Sequence, residues 1–209
     1  MMDERLRMKE VKEIKQSFRL LMNGVTASSM RQKGVEYKLN WGVNIFDLQR
    51  MAVDYGKDYE LAVELWKEDI RECKLLATMI MPAEEMPSEV VDIWMEQTRS
   101  QEMIEMAVFN LYQHLPYAAQ KAFQWMAADN DLYQIAAYLL LARLFMQGLE
   151  PDERGINEII DNAVSALEGG TLQVKHAALK CLTHLAELGD TYEVIVKQAL
   201  KANNLDVLL

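Results

Sequence analysis

The chain has 209 residues, 51% of them apolar and 26% charged, with a formal net charge of −10. That is enough apolar material for one large or two small domains, and the acidic balance excludes a surface coated throughout with nucleic acid. The charged start from Met1 to Glu10 excludes a secretory signal, and the longest apolar run, Ile135 to Ala142, is too short to span a bilayer, so a cytoplasmic protein with no membrane partner is expected.

Only 9 Gly and 4 Pro interrupt the chain, which favours helix over sheet. Apolar residues recurring at three and four predict the elements in order. The first helix runs from Asp3 to Met22 with Val11, Ile14, Phe18 and Leu21 as its apolar stripe. A short helix, Ala27–Lys33, is closed by Gly34, and residues 35–44, containing Gly42, read as a loop. Helices follow at Ile45–Tyr55 and at Asp58–Lys67, where Asp58 is placed to cap. Asp69 precedes Ile70–Met81, and Pro82 and Pro87 bracket a loop. Ser88 is read as the cap of Glu89–Gln97, and Ser100 as the cap of Gln101–Leu115. The remaining helices are Tyr117–Ala128, Asp131–Gln147, Glu153–Leu167, Leu172–Leu188 and Tyr192–Ala202. No linker is long enough to divide the chain, so residues 1–209 are expected to form a single repeat domain.

Four helices share a local pattern in which a small residue follows an apolar one at three. Ile70 pairs with Cys73, Ile104 with Ala107, Tyr133 with Ala136, and Val174 with Ala177. A small residue permits close helix crossing, and irregular spacings of this order suit stacked helix pairs. The expected fold is all-α, an α-α superhelix (solenoid) of HEAT-like helical repeats. A compact irregular bundle is the alternative.

Charge is unevenly spread. Residues 1–38 hold nine Lys or Arg and five Asp or Glu, giving +4, and residues 39–209 therefore carry −14. Arg5, Lys9, Lys12, Lys15 and Arg19 recur at 4, 3, 3 and 4 along one side of the first helix. Arg31, Lys33 and Lys38 follow, near Tyr37 and Trp41. A basic stripe beside aromatics is a candidate DNA-binding surface, although a solvated helix face has the same pattern. Trp66, Trp94 and Trp125 read as core; Trp41, in a loop, is left open between core and surface. Glu102 and Glu105 share a helix face and could do acid–base work, but an acidic chain has many solvated carboxylate faces. His176, Lys180 and His184 share a face near Cys181, yet fall short of a metal-ligand set, so no metal is expected. Cys73 and Cys181 lie in apolar helical stretches and are expected to be buried, reduced thiols. With no phosphate-cradling Gly-rich loop and no nucleophile elbow, no cofactor is expected.

Gly34-Val-Glu-Tyr-Lys-Leu-Asn-Trp-Gly-Val43, Leu48-Gln-Arg-Met-Ala52, Glu60-Leu-Ala-Val-Glu-Leu-Trp66 and Arg71-Glu-Cys-Lys-Leu-Leu-Ala77 together resemble the DNA alkylation repair family, the AlkD-like alkylpurine DNA glycosylases. The resemblance implies HEAT-like repeats whose concave face cradles duplex DNA. It also implies cleavage of the N-glycosidic bond of cationic N3- or N7-alkylated purines, without flipping the base into a pocket. The family's Trp-x-x-x-Asp element corresponds to Gln101-Glu-Met-Ile-Glu105, which puts Glu105 at the catalytic carboxylate and Gln101 at the aromatic position. Its Trp-x-x-Arg-x-Ala element corresponds to Leu132-Tyr-Gln-Ile-Ala-Ala137, with Ile135 in place of the arginine. A further family tryptophan aligns with Lys180. Glutamine has no π face for a cationic base, isoleucine cannot bind phosphate, and the longer glutamate displaces its carboxylate. The expectation is a family member that binds duplex DNA, with base excision absent or severely reduced. The alternative is a non-catalytic HEAT-repeat scaffold that grips a protein partner.

Overall fold

The computed structural model describes residues 2–35 and 37–205, with side chains from Leu6 onward. About 75% of the chain is helical, and the described residues contain twelve α-helices and no strand. The chain divides into two compact units, Met1–Pro116 and Tyr117–Leu209. None of the described helices is long and apolar enough to cross a membrane.

The first unit contains α1 (Met2–Leu20), α2 (Gly24–Gln32), α3 (Ile45–Tyr55), α4 (Tyr59–Lys67), α5 (Arg71–Ile80), α6 (Ser88–Glu96) and α7 (Gln101–Asn110). Second helices stack in series, α3 on α5 and α5 on α7, while α1 lies against α4. The Trp66 ring of α4 stacks on Trp94 of α6 at 4.0 Å and 3°. Such a pair adds about 0.5–1.5 kcal/mol beyond the area it buries, so it fixes the spacing of successive first helices. The predicted stripe of α1 is buried at Val11, Ile14 and Phe18, and Asp58 caps α4 by accepting from the Leu61 amide at 2.9 Å.

The second unit contains α8 (Ala118–Met126), α9 (Asp131–Met146), α10 (Glu153–Gly169), α11 (Leu172–Ala186) and α12 (Asp190–Ala202). Here α8 pairs with α9 and α10 with α11, α9 packs on α11, and α12 closes against α10 and α11. Helix α9 is buried almost all round, which explains its lack of a polar stripe.

The small-residue pattern marks the second helix of each pair. Cys73, Ala107, Ala136 and Ala177, on α5, α7, α9 and α11, are all buried. Two predicted caps differ from the structure. Residue 70 is extended because Leu39 and Ile70 form an isolated parallel bridge, so α5 starts after Ile70 with no side-chain cap from Asp69. Ser88 is the first residue of α6, after Pro87, and makes no capping bond. The predicted helix 101–115 ends at Asn110, and residues 112–114 form a separate tight turn of helix.

Candidate nucleic-acid interface

The loop 37–44 is held on three sides. Leu39 donates to the Asp69 carbonyl at 3.3 Å and accepts from the Arg71 amide at 3.2 Å. The Asn23 amide donates to the Trp41 carbonyl at 2.8 Å, bringing the loop onto the start of α2. Gly42 has φ +67, and a Cβ there would lie 2.3 Å from the Asn23 carbonyl oxygen, so this close approach requires glycine. From α5, the fully buried Glu72 accepts from the amides of Trp41 at 3.2 Å and Val43 at 3.3 Å. Arg71 completes the clamp. It donates to the Val43 carbonyl at 3.3 Å and forks onto Glu102 of α7, with Nη2 to Oε1 at 2.6 Å and Nε to Oε2 at 2.9 Å. Burial disfavours the Arg71 charge, but its bonds to Glu102 and Glu72 outweigh that and hold its pKa above the ordinary value.

With the loop fixed, α1, the loop and the α4–α5 turn enclose a groove of about 960 Å³. Lys12, Lys15, Arg19, Lys38 and Lys67 line it, against Glu64, Glu68 and Asp69. Lys15 is paired with Glu68 at 2.9 Å, and Lys67 with Glu64. Lys12, Arg19 and Lys38 have no ion-pair partner among the described residues and face the groove as uncompensated charge. Trp41 also lines the groove, buried against the Phe18 ring at 5.7 Å, so it is a wall rather than a free stacking platform.

A second cavity of about 410 Å³ adjoins, bounded by Tyr37, the α4–α5 turn and the α6–α7 turn. Lys67 and Asp69 line both cavities, and Lys74 and Arg99 add two more cations. Among the described residues the two together hold seven cations against three carboxylates, in a chain of net charge −10. Tyr37 lies 3.3 Å from Ser100, which caps α7; burial raises the Tyr37 pKa, with Ser100 opposing.

The stripe expected on the first helix is thus partly assembled. Lys12, Lys15, Arg19 and Lys38 line the groove, but Lys9 is exposed outside it and pairs with Glu13 at 3.6 Å. Arg31 and Lys33 are exposed at the end of α2 and do not line the groove. Arg5 belongs to α1, and its side chain is outside the described residues. Lys67, Lys74 and Arg99 escaped the sequence reading. Lys67 and Arg99 are 32 residues apart, near one repeat length, in equivalent turns, and that spacing was the available signal.

The family-motif positions look different. Glu105 is exposed on α7 and accepts from Gln101 Nε2 at 2.8 Å. Glu102 does not face a reaction with it, being held by Arg71. Ile135 is only 2% exposed in α9, so the position aligned with a phosphate-binding arginine is a core position of the second unit. Lys180 is exposed on α11. Cys73 and Cys181 are free and buried, and among the described residues no three His, Cys, Asp or Glu come together as a metal site.

No curated protein matches the sequence. A solved structure described as "A new family of proteins related to the HEAT-like repeat DNA glycosylases with affinity for branched DNA structures" is similar over 91% of this chain and 81% of its own. Its TM-score is 0.78 at 17% identity, a likeness that shows the fold: an all-helical HEAT-like repeat protein, as the sequence predicts. The family model described as DNA alkylation repair enzyme matches residues 14–207. With nearly the whole chain matched, the protein belongs to the DNA alkylation repair enzyme family.

Proposed function

We propose that this protein binds DNA without reading its sequence, by seating backbone phosphates along the basic groove of the first unit, and that it does not excise alkylated purines. The observation that carries the reading is the seven-to-three excess of cations among the described residues lining the two adjoining cavities of an otherwise acidic chain. Phosphate contacts supply affinity and orientation without sequence information. The solved relative is described as having affinity for branched DNA, which makes a branched molecule the first ligand to test beside a plain duplex.

Excision requires a carboxylate aimed at the developing sugar cation and groups that hold the nucleotide. Glu105 is a solvated side chain bonded to Gln101, no aromatic stands at position 101, and Ile135 belongs to the core. These observations support binding without chemistry.

The test is charge reversal at the three unpaired groove cations. Wild type should bind branched DNA with steep salt dependence, and Lys12→Glu/Arg19→Glu/Lys38→Glu should flatten log affinity against log salt by about three units, roughly 0.9 per lost phosphate contact. An unchanged slope would remove the groove from the account. No binding by the wild type at low salt would favour the protein-scaffold reading. Release of N7-alkylguanine should equal the no-enzyme background for wild type and Glu105→Gln alike, and excision lost in Glu105→Gln would make α7 an active site.

A further inference from the structure

The smaller cavity differs in kind from the groove beside it, because its main charge is buried. Lys74 is 8% exposed, lines the cavity, and donates to the Trp66 carbonyl at 2.8 Å with its ammonium 4.3 Å from the centre of the Trp66 ring. An ammonium has three donors. One carbonyl and one π face leave Lys74 short of acceptors, and no carboxylate among the described residues forms an ion pair with it. Burial lowers its pKa; Asp69 opposes that and Arg99 adds to it. A buried cation so placed is compensated best by an anion entering the cavity.

The ring beneath it is not a stacking platform. Trp94 is stacked on Trp66 at 4.0 Å, which covers one face, and the Lys74 ammonium occupies the other. Trp66 therefore offers a base no free π face, and at this end of the cavity recognition comes from charge. Arg99 supplies the second charge. It lies exposed at the rim, has no partner among the described residues, and carries a planar fork suited to phosphate oxygens. Among the described residues Asp69 is the sole carboxylate lining the cavity, and Lys67 is already paired with Glu64. Lys74 and Arg99 thus outnumber Asp69.

We propose that this cavity is a phosphate site, in which Lys74 at the base and Arg99 at the rim hold one phosphate group by charge-assisted hydrogen bonds. Two sources share that chemistry: an internal phosphodiester of a strand lying in the neighbouring groove, and the terminal monoester of a DNA end. The source rests on the DNA reading above; the site does not.

The test begins without DNA. Inorganic phosphate is titrated into the full chain while the amide resonances of residues 97–103 are followed. The shifts should saturate, and Lys74→Met or Arg99→Gln should weaken binding about tenfold, the usual consequence of losing one charged hydrogen bond. Lys197→Gln, at a second-unit cation paired on its own helix, should leave it unchanged. Arg99 is exposed, so Arg99→Gln still reads the site should Lys74→Met fail to fold. Shifts that never saturate, or that are the same in Arg99→Gln, overturn the proposal. Saturable phosphate binding with no DNA binding at all would keep the site and sink the DNA reading. Oligonucleotides with a 5′-phosphate or a 5′-hydroxyl then separate the sources. A preference for the phosphorylated end that Arg99→Gln abolishes assigns the monoester. Equal binding, with a salt slope reduced by about one in Arg99→Gln, assigns the phosphodiester.

Discussion

The two compact units carry the same net charge. Residues 1–116 have 15 basic and 20 acidic side chains, and residues 117–209 have 7 and 12, so each sums to −5. Their cations are used differently. In the second unit Lys197 pairs with Glu193 on its own helix, and Lys175 donates to the Glu168 carbonyl at the end of α10. In the first unit Lys12, Arg19, Lys38 and Arg99 are left without partners and are gathered from three elements into adjoining cavities. Net charge therefore does not locate a polyanion surface. What locates it is where the fold gathers unpaired cations into adjoining cavities, and whether a clamp such as Arg71–Glu72 holds their loop in place.

The largest effect expected from a single change lies in the second unit. Ile135→Arg puts an unpaired charge into the α9 core, at a cost of several kcal/mol. Hydrogen exchange should show loss of protection across α8, α9 and α11. Retained protection would mean that position 135 can reach solvent and that its alignment with a functional arginine is sound. In the first unit, Glu72→Ala removes the acceptor of two loop amides and one partner of a buried ion pair. Breaking such a pair costs about 3–5 kcal/mol. Chemical denaturation should show that loss, with faster exchange at Trp41 and Val43. A change below about 1 kcal/mol would show that the loop is held without the clamp.

An effect that is smaller per pH unit is expected in both units at alkaline pH. Burial raises the Cys73 pKa from 9.0 to about 12 and pushes the Cys181 thiol up as well. Above pH 9 the unfolded chain releases thiol protons that the native chain retains. The stabilisation present below pH 9 is therefore lost as pH rises toward 12, by up to about 1.4 kcal/mol per pH unit for each thiol. Lys74, whose pKa burial lowers below 10.5, acts with the opposite sign up to that pH. Cys73→Ala isolates the first-unit thiol: its stability should fall less steeply than wild type between pH 9 and 12, and parallel curves would contradict the assignment.

The repeat fold was largely legible, because a small residue at the helix crossing is a local property that Cys73, Ala107, Ala136 and Ala177 display in the sequence itself. The α1 face was legible in part. Helical spacing identified Lys12, Lys15 and Arg19 together, but it equally admitted Lys9, which pairs with Glu13 outside the groove. Lys67, Lys74 and Arg99 were hinted at only by the repeat-length spacing of Lys67 and Arg99, since they lie on separate elements and meet only when helix pairs stack. The start of α5 was misplaced for a similar reason: the Leu39–Ile70 bridge is a contact across 31 residues, and it overrides the local capping signal of Asp69.

The most direct test of the central claim is lysine footprinting of the full chain, by limited acetylation with and without branched DNA. The contrast between the units predicts strong protection at Lys12, Lys15, Lys38 and Lys67 and unchanged labelling at Lys175, Lys180 and Lys197. Protection concentrated on the second-unit lysines, or spread evenly over both sets, would contradict it.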